Sequence, residues 1–132
     1  MNELVNRGGS GLIRALHGNG DLPSVPLPFQ RDIFLFDTYV AGTSFIEELK
    51  DGTISLSEGE EVSFFREPEN RYDANAIVIK TASGVKIGYV PRADNAVFSR
   101  LMDAGKLLFG KINGSEIKKG YPQIGLAIYL RD

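Results

Sequence analysis

One polar segment in the middle of the chain brings together side chains that could recognise a nucleotide. It lies between two β-rich stretches and exposes four residues in a row: Asn70, Arg71, Tyr72 and Asp73. A tyrosine ring stacks on a base, an arginine pairs with a phosphate, and a carboxylate accepts a hydrogen bond from a hydroxyl or an exocyclic amine. Because a carboxylate repels phosphate, Asp73 suits a nucleic-acid site only where it meets a group with a proton to donate.

A structural explanation of the same segment stays open at this point. Asp73 and Asn75 are of residue types that hydrogen-bond their own backbone in turns. A tyrosine in a loop, such as Tyr72, often packs against the rim of a barrel. The residues alone therefore leave both a binding role and a structural role open.

The sequence lacks the usual ingredients of catalysis. It has no cysteine and a single histidine, His17, so thiol nucleophiles, disulfides and histidine clusters for zinc are excluded. No GxxxxGK[ST] or GxGxxG phosphate-binding motif occurs. Acidic pairs such as Glu47 and Glu48 lack metal-ligand spacing, so we interpret them as solvated surface. We therefore predict a non-catalytic protein that uses no cofactor and no metal.

The composition is that of a globular protein with one folded domain. Its 132 residues are 42% hydrophobic and 24% charged. The 15 basic and 17 acidic residues give a net charge of −2, so nucleic-acid binding would depend on a local site and is expected to be weak. No apolar run approaches the roughly 20 residues that span a bilayer. No signal-type apolar stretch follows the first residues. We expect a cytoplasmic protein that does not contact a membrane.

From residue 33 onward the pattern is mainly β. Strands are predicted at 33–40, 53–56, 62–66, 76–81, 85–90, 106–112 and 123–130, with a hairpin turn at 82–84 and a polar loop at 113–120. Ile77 and Ile79 lie on one face of their strand, and Ala76 and Val78 lie on the other. Both faces are therefore apolar, which predicts a sheet covered on two sides, as in a β-barrel capped by a helix.

One helix is predicted at about 91–104. Pro91 is suited to its first position, and Gly105 is a natural stop. Asp94 falls in the first turn, where the helix dipole favours an acid. The apolar stripe that should face the core consists of Val97, Phe98, Leu101 and Met102.

The first 32 residues differ from the rest. Glycine clusters and three closely spaced prolines, Pro23, Pro26 and Pro28, disfavour both a helix interior and a central strand. We therefore predict an extended arm or linker at 1–32 and a folded domain at 33–132.

Three segments together resemble the signature of the HIRAN domain family. They are 40–45, 66–79 with its Glu-Pro-x-Asn-x-Tyr-Asp-x-Asn-Ala-Ile pattern, and 86–92, in the family's order and spacing. The resemblance covers about residues 34–131. It implies a small OB-like β-barrel with an added helix that binds single-stranded DNA at the 3′ end. It also implies a link to DNA repair and stalled-fork processing, although the ATPase motor of larger relatives has no counterpart in this sequence.

The resemblance implies roles for individual residues. Tyr72 and Phe45 would flank and stack the terminal bases, and Asp73 would accept a hydrogen bond from the 3′-hydroxyl. Asn70 would help to hold the same nucleotide. Arg92, at the start of the helix, would contact the backbone phosphate.

Four further positions refine this predicted site. Tyr89 stands where other members carry histidine, and Tyr121 matches a further aromatic position. Ser44 departs from members that have an arginine there, which removes a phosphate contact, and Arg71, at a position that is often proline, would partly restore the charge. Phe45 and Tyr121 could instead pack in the core or at the rim of the barrel.

A second function stays open, namely a protein-interaction module on the same barrel without DNA binding. The acidic net charge and Ser44 favour it, and the prolines of the arm suit docking of a protein partner in a groove or at a sheet edge. The sequence does not choose between DNA and RNA.

Overall fold

The computed structural model describes residues 31–132. The predicted arm lies outside the described residues except for its last two positions, and so do His17 and any protein contact made through the arm. Within residues 31–132, no helix is long and apolar enough to cross a membrane.

Six antiparallel strands form one sheet in this part of the chain. They are β1 (Asp32–Tyr39), β2 (Glu61–Arg66), β3 (Ile77–Lys80), β4 (Lys86–Tyr89), β5 (Leu107–Lys118) and β6 (Tyr121–Arg131), in the order β1-β6-β5-β2-β3-β4. A backbone bridge between Ala41 and Tyr89 joins the segment after β1 to the opposite edge strand. The sheet therefore curls into a half-barrel, and the predicted mainly β, barrel-type fold is confirmed.

The core lies inside this half-barrel and under its helix. Along β2 the burial alternates, so Val62 and Phe64 point inward while the residues between them face out. On β3 both Ile77 and Val78 are buried, at 0% and 2% exposed, which confirms that this strand is covered on two sides. Each such aliphatic side chain stabilises the fold by about 1.5 to 3 kcal/mol through burial.

The main helix, α2, spans Arg92–Asp103, one residue inside the predicted bounds at each end. It begins directly after Pro91, and Gly105, with φ of 93°, ends it. Phe98 is buried in the core as predicted, with Leu101 and Met102 packed beside it.

The prediction for Val97 is wrong, because its side chain is 62% exposed. The buried face of α2 runs instead through Asn95, Phe98 and Ser99. Consecutive helical residues lie about 100° apart, so a face that includes Asn95 and Ser99 turns Val97 toward solvent. Two of the three buried positions are polar, and hydropathy alone did not indicate them.

The predicted strand at 53–56 is also wrong. This segment follows a short helix, α1 (Glu47–Lys50), and folds back on it. The Ile54 N–H donates to the Glu48 carbonyl at 2.9 Å, and the Thr53 N–H donates to Asp51 Oδ1 at 2.9 Å. These local bonds satisfy the backbone in place of a strand partner.

The predicted loop at 113–120 belongs mostly to the sheet. Strand β5 continues to Lys118 and pairs with β6 up to that residue, with one irregularity between Ile112 and Gly114. The turn consists of Lys119 and Gly120, whose φ values of 53° and 79° suit a two-residue hairpin connection. The polar composition that suggested a loop reflects the solvent exposure of this hairpin.

Candidate functional site

The loop between β2 and β3, residues 67–76, is folded by the side chain of Asn70 and is called the site loop below. Asn70 Oδ1 accepts hydrogen bonds from the N–H groups of Tyr72 and Asp73, at 2.9 and 3.1 Å. Its Nδ2 donates to Glu67 Oε1 at 3.0 Å. Asn70 therefore shapes the loop that presents Tyr72 and Asp73, because both ends of its amide are already bonded within it.

Arg66, the last residue of β2, fastens the far side of the site loop. Its Nη1 donates to the Ala76 carbonyl at 2.7 Å, and its Nη2 donates to the Ala74 carbonyl at 3.0 Å. Its Nε donates to Asp103 Oδ1 at 2.9 Å, which ties the same guanidinium to the end of α2. The loop is thus held to both the sheet and the helix by one half-buried side chain.

Tyr72 and Asp73 adjoin on the site loop and differ in exposure. Tyr72 is 77% exposed, whereas the Asp73 side chain is 20% exposed. Asp73 Oδ1 accepts from the Asn75 N–H at 2.9 Å, and Asp73 Oδ2 accepts from Asn95 Nδ2 at 2.7 Å. The bond from Asn95, then the bond from Asn75 and the charge of Arg92, lower the pKa of Asp73, so this carboxylate is ionised at neutral pH.

These residues line an open groove of about 640 Å³, called the first groove. Six of the eight predicted site residues line it, namely Phe45, Asn70, Tyr72, Asp73, Tyr89 and Arg92. Its floor is formed where Ala41 crosses Gly88, and a Cβ on Gly88 would stand 2.4 Å from the Ala41 carbonyl oxygen. Only glycine permits this approach, so Gly88 lets β4 and the segment after β1 meet beneath the site.

Tyr89 lies at one side of the first groove and is bonded to two charged residues. Its hydroxyl donates to Glu67 Oε1 at 2.9 Å and accepts from Lys86 Nζ at 3.0 Å. Bonds from Asn70 and Tyr89, with the charge of Lys86, lower the pKa of Glu67. Lys86 itself lines the groove, and sequence reasoning missed it, although it lies in one of the three signature segments.

Arg92 and Phe45 also line the first groove. Arg92, the first residue of α2, has a side chain that is 72% exposed, and its Nε lies 3.6 Å from Asp73 Oδ2. Its Nη2 also donates to the Tyr72 carbonyl. Phe45 ends a single 3₁₀ turn (Thr43–Phe45) and is 87% exposed, so the alternative that it packs in the core is wrong.

The two remaining predicted residues lie outside the first groove. The guanidinium carbon of Arg71 lies 5.6 Å from the centroid of the Tyr72 ring. Tyr121 lines a second groove of about 1100 Å³, together with Tyr39, Ser44, Ser115 and Glu116. Tyr39 and Tyr121 are 58% and 55% exposed. The grooves share Ala41 and Gly42, so they are neighbours on one surface.

The described residues hold no group of three or more histidine, cysteine or acidic side chains that could bind a metal ion. Charges of both signs surround the first groove: Lys86 and Arg92 are positive, and Asp73 is negative. The exposed aromatic rings and the ordered carboxylate are therefore its most distinctive chemical features.

Comparison with known proteins gives a consistent result. The model of the HIRAN domain matches residues 33–131. A crystal structure of a protein from Lactobacillus plantarum is similar, with a TM-score of 0.67, 27% identity, and coverage of 76% of this chain and 96% of that one. A search of curated protein sequences found no match.

Two structures of the HIRAN domain of human HLTF share the fold. The crystal structure has a TM-score of 0.58 at 17% identity and covers 76% of this chain and 81% of that one. The NMR structure has a TM-score of 0.50 at 18% identity and covers 76% of this chain and 80% of that one. The family model spans the half-barrel and every residue of both grooves, and this chain is therefore a member of the HIRAN domain family.

Proposed function

We propose that this chain binds single-stranded DNA by its 3′ end, with the terminal nucleotide in the first groove. The HIRAN domain family is known for nucleic-acid binding. The observation that carries the proposal is the pairing of an exposed aromatic ring, Tyr72, with an ordered carboxylate, Asp73, on one open groove. The ring suits a base, and the carboxylate suits a hydroxyl.

The aromatic residues supply stacking. Tyr72 and Phe45 are 77% and 87% exposed and line the same groove. Stacking a base on such a ring is favourable and tolerates any sequence, because every base has a π-face. This supports affinity for unpaired bases in a protein whose net charge is −2.

Asp73 supplies selectivity for the end of the strand. Each carboxylate oxygen accepts one well-formed hydrogen bond from the protein and retains capacity for another. A 3′-hydroxyl donates a hydrogen bond to such an oxygen, whereas a phosphate diester or a 3′-phosphate brings negative charge. Because its pKa is lowered, Asp73 is charged at neutral pH and favours the hydroxyl.

Cations on the same groove supply phosphate contacts. The Arg92 side chain is 72% exposed. Its guanidinium has five N–H donors, more than its contacts with Tyr72 and Asp73 use, so donors remain for a phosphate. Lys86 adds a second positive charge to the lining. Lys86 thereby offsets Ser44, which stands where some family members have an arginine. Arg71, stacked near Tyr72, adds positive charge beside the groove.

The strand continues, in this proposal, across Ala41 and Gly42 into the second groove. Tyr121 and Tyr39 are half exposed there and offer rings for the next bases. The protein acts as a non-catalytic, cytoplasmic binder of DNA ends, with a role in repair or in the processing of stalled forks.

Fluorescence anisotropy with 5′-labelled oligonucleotides of one sequence tests this proposal. The three probes end in a 3′-hydroxyl, a 3′-deoxy sugar and a 3′-phosphate. A hydrogen bond to a charged group predicts about tenfold weaker binding of the 3′-deoxy end, and repulsion predicts that the 3′-phosphate binds weaker still. Equal affinity for all three ends would show that the end is not recognised.

A further inference from the structure

Directly behind Asp73, the first turn of α2 holds a buried amide, that of Asn95. The Asn95 side chain lines the first groove, yet the residue is only 2% exposed. Its neighbour Asp94 faces another direction and accepts from Thr38 Oγ1 at 2.8 Å. One helical turn therefore contacts β1 through Asp94 and the site loop through Asn95.

The orientation of the Asn95 amide follows from its partner. An ionised carboxylate only accepts, so the nitrogen of the amide must face Asp73 Oδ2, from which it lies 2.7 Å away. Arg92 Nε is farther from the same oxygen, at 3.6 Å, and its side chain is largely exposed. Asn95 therefore restrains the position of the carboxylate more closely than Arg92 does.

The type of residue at 95 also matters because an amide carries no charge. A buried lysine or arginine there would hold Asp73 equally well but would cancel its charge. A neutral donor at 95 fixes the carboxylate and adds no second positive charge to that of Arg92, which already lies 3.6 Å from Asp73 Oδ2. The charge that repels a 3′-phosphate is thereby kept at the place where the 3′-hydroxyl is bound.

We propose that Asn95 is the positioning residue that sets the preference of this groove for a hydroxyl end over a phosphorylated end. This inference rests on the proposed 3′-end binding. It goes beyond that proposal because it assigns the selectivity to a neutral, buried donor on α2 that acts through Asp73.

The test is Asn95→Leu, which keeps the branched shape and the number of heavy atoms and removes the donor, measured with the 3′-hydroxyl and 3′-phosphate probes. Loss of a hydrogen bond to a charged group predicts that the ratio of the two affinities falls about tenfold. Thr38→Val is the matched control, since it removes a hydrogen bond from the same helical turn on the side away from Asp73. We expect this control to leave the ratio unchanged.

A double-mutant cycle separates action through Asp73 from general damage to the fold. In an Asp73→Asn background, Asn95→Leu is expected to change the ratio of affinities no further. A second loss of the same size in that background would overturn the inference. Circular dichroism of each variant monitors the fold.

The pH dependence of Asp73 gives a second readout. Asn95 is the largest cause of the lowered pKa of Asp73, followed by Asn75 and Arg92. Lys86 is a further charged residue of the groove lining, and Glu67 is a charged residue of the site loop. Removing the donor raises the pKa, so the carboxylate of Asn95→Leu takes up its proton at a higher pH than in the parent protein. A ¹³C NMR titration of the Asp73 carboxyl measures this, and an unchanged midpoint would overturn the inference.

An NMR pH titration of the parent protein tests the bond between Asn95 and Asp73 without any variant. The side-chain NH₂ resonances of Asn95 are expected to shift with the same midpoint as the Asp73 carboxyl when pH is lowered, and signals that stay constant would contradict the proposed bond. If the parent protein does not distinguish the probes, the proposed function fails. If it does distinguish them and Asn95→Leu does so equally well, only the role of Asn95 fails.

Discussion

The two grooves meet at Ala41 and Gly42, yet they are built in different ways. The first groove is held by side chains: Asn70 folds the site loop, Arg66 fastens it, and Asn95 orients Asp73. The second groove lies between the segment after β1 and the hairpin of β5 and β6, where pairing of backbone groups supplies the framework. A site that recognises one particular chemical group needs side chains that hydrogen bonds hold in place, as in the first groove.

The difference suggests a division of labour along a bound strand, in which one groove selects the chemical group at the end and the other stacks further bases. Groups fixed by several hydrogen bonds discriminate between ligands, because an unsuitable ligand leaves a buried polar group unpaired. Exposed rings on a backbone framework, such as Tyr39 and Tyr121, stack any base. We expect chemical selectivity to reside in the first groove, and affinity that grows with strand length to reside in the second.

The largest expected effect comes from removing the arginine that fastens the site loop. Arg66→Met leaves two backbone carbonyls of the loop and Asp103 without their donor. We expect the free energy of unfolding to fall by about 3 kcal/mol, because these bonds come from a charged, half-buried group. Urea denaturation followed by circular dichroism measures the change.

Arg131→Met is the matched control for Arg66. It also removes charged hydrogen bonds, to Asp32 and Glu61, but these partners lie at exposed positions on the sheet rather than in the site loop. Arg131→Met is expected to lower the free energy of unfolding less than Arg66→Met does. It is also expected to leave the selectivity for the 3′ end unchanged. Equal losses of selectivity in the two variants would contradict the assignment of selectivity to the site loop.

The next largest effect concerns Tyr72, the exposed ring of the first groove. Tyr72→Ala is expected to weaken binding of single-stranded DNA by about 2 kcal/mol, the usual value for the loss of one stacked base. Tyr72→Phe keeps the ring and is expected to bind as the parent protein does, because the hydroxyl of Tyr72 bonds to none of the described residues. Anisotropy titrations measure the affinity of both variants for single-stranded DNA. An unchanged isotherm for Tyr72→Ala would show that this residue is not part of the binding site.

The sequence predicted the fold well where local pattern and tertiary environment agree. The alternation in β2 and the proline and glycine at the ends of α2 place these elements to within one residue. The prediction failed at 53–56 and at 113–120. In the first case, hydrogen bonds to α1 replaced a strand partner, and in the second, polar residues formed an exposed hairpin. A polar composition indicates solvent exposure. Because loops and protruding strands are both exposed, composition alone does not distinguish them.

The site was predictable only in part, for a similar reason. Tyr72 and Asp73 adjoin in sequence, so the polar turn already predicted that they lie together, and both line the first groove. Asn95 and Lys86 lie on α2 and β4, far from the site loop in sequence, and only the fold brings them to the same groove. The sequence analysis did not single out Asn95, because its burial is seen only in the structure, and the hydropathy pattern of α2 placed Val97 on the core face instead.

The smallest expected effect tests the second groove. Tyr121→Ala removes a half-exposed ring that lies across Ala41 and Gly42 from the first groove, so it should matter only for strands that reach it. For an oligonucleotide of about ten nucleotides we expect a loss of about 1 kcal/mol, at the low end for one stacked base. A dinucleotide with a free 3′-hydroxyl should bind equally well to Tyr121→Ala and to the parent protein. Equal losses for the short and the long ligand would mean that Tyr121 acts on the first groove, and the division of labour between the grooves would then be wrong.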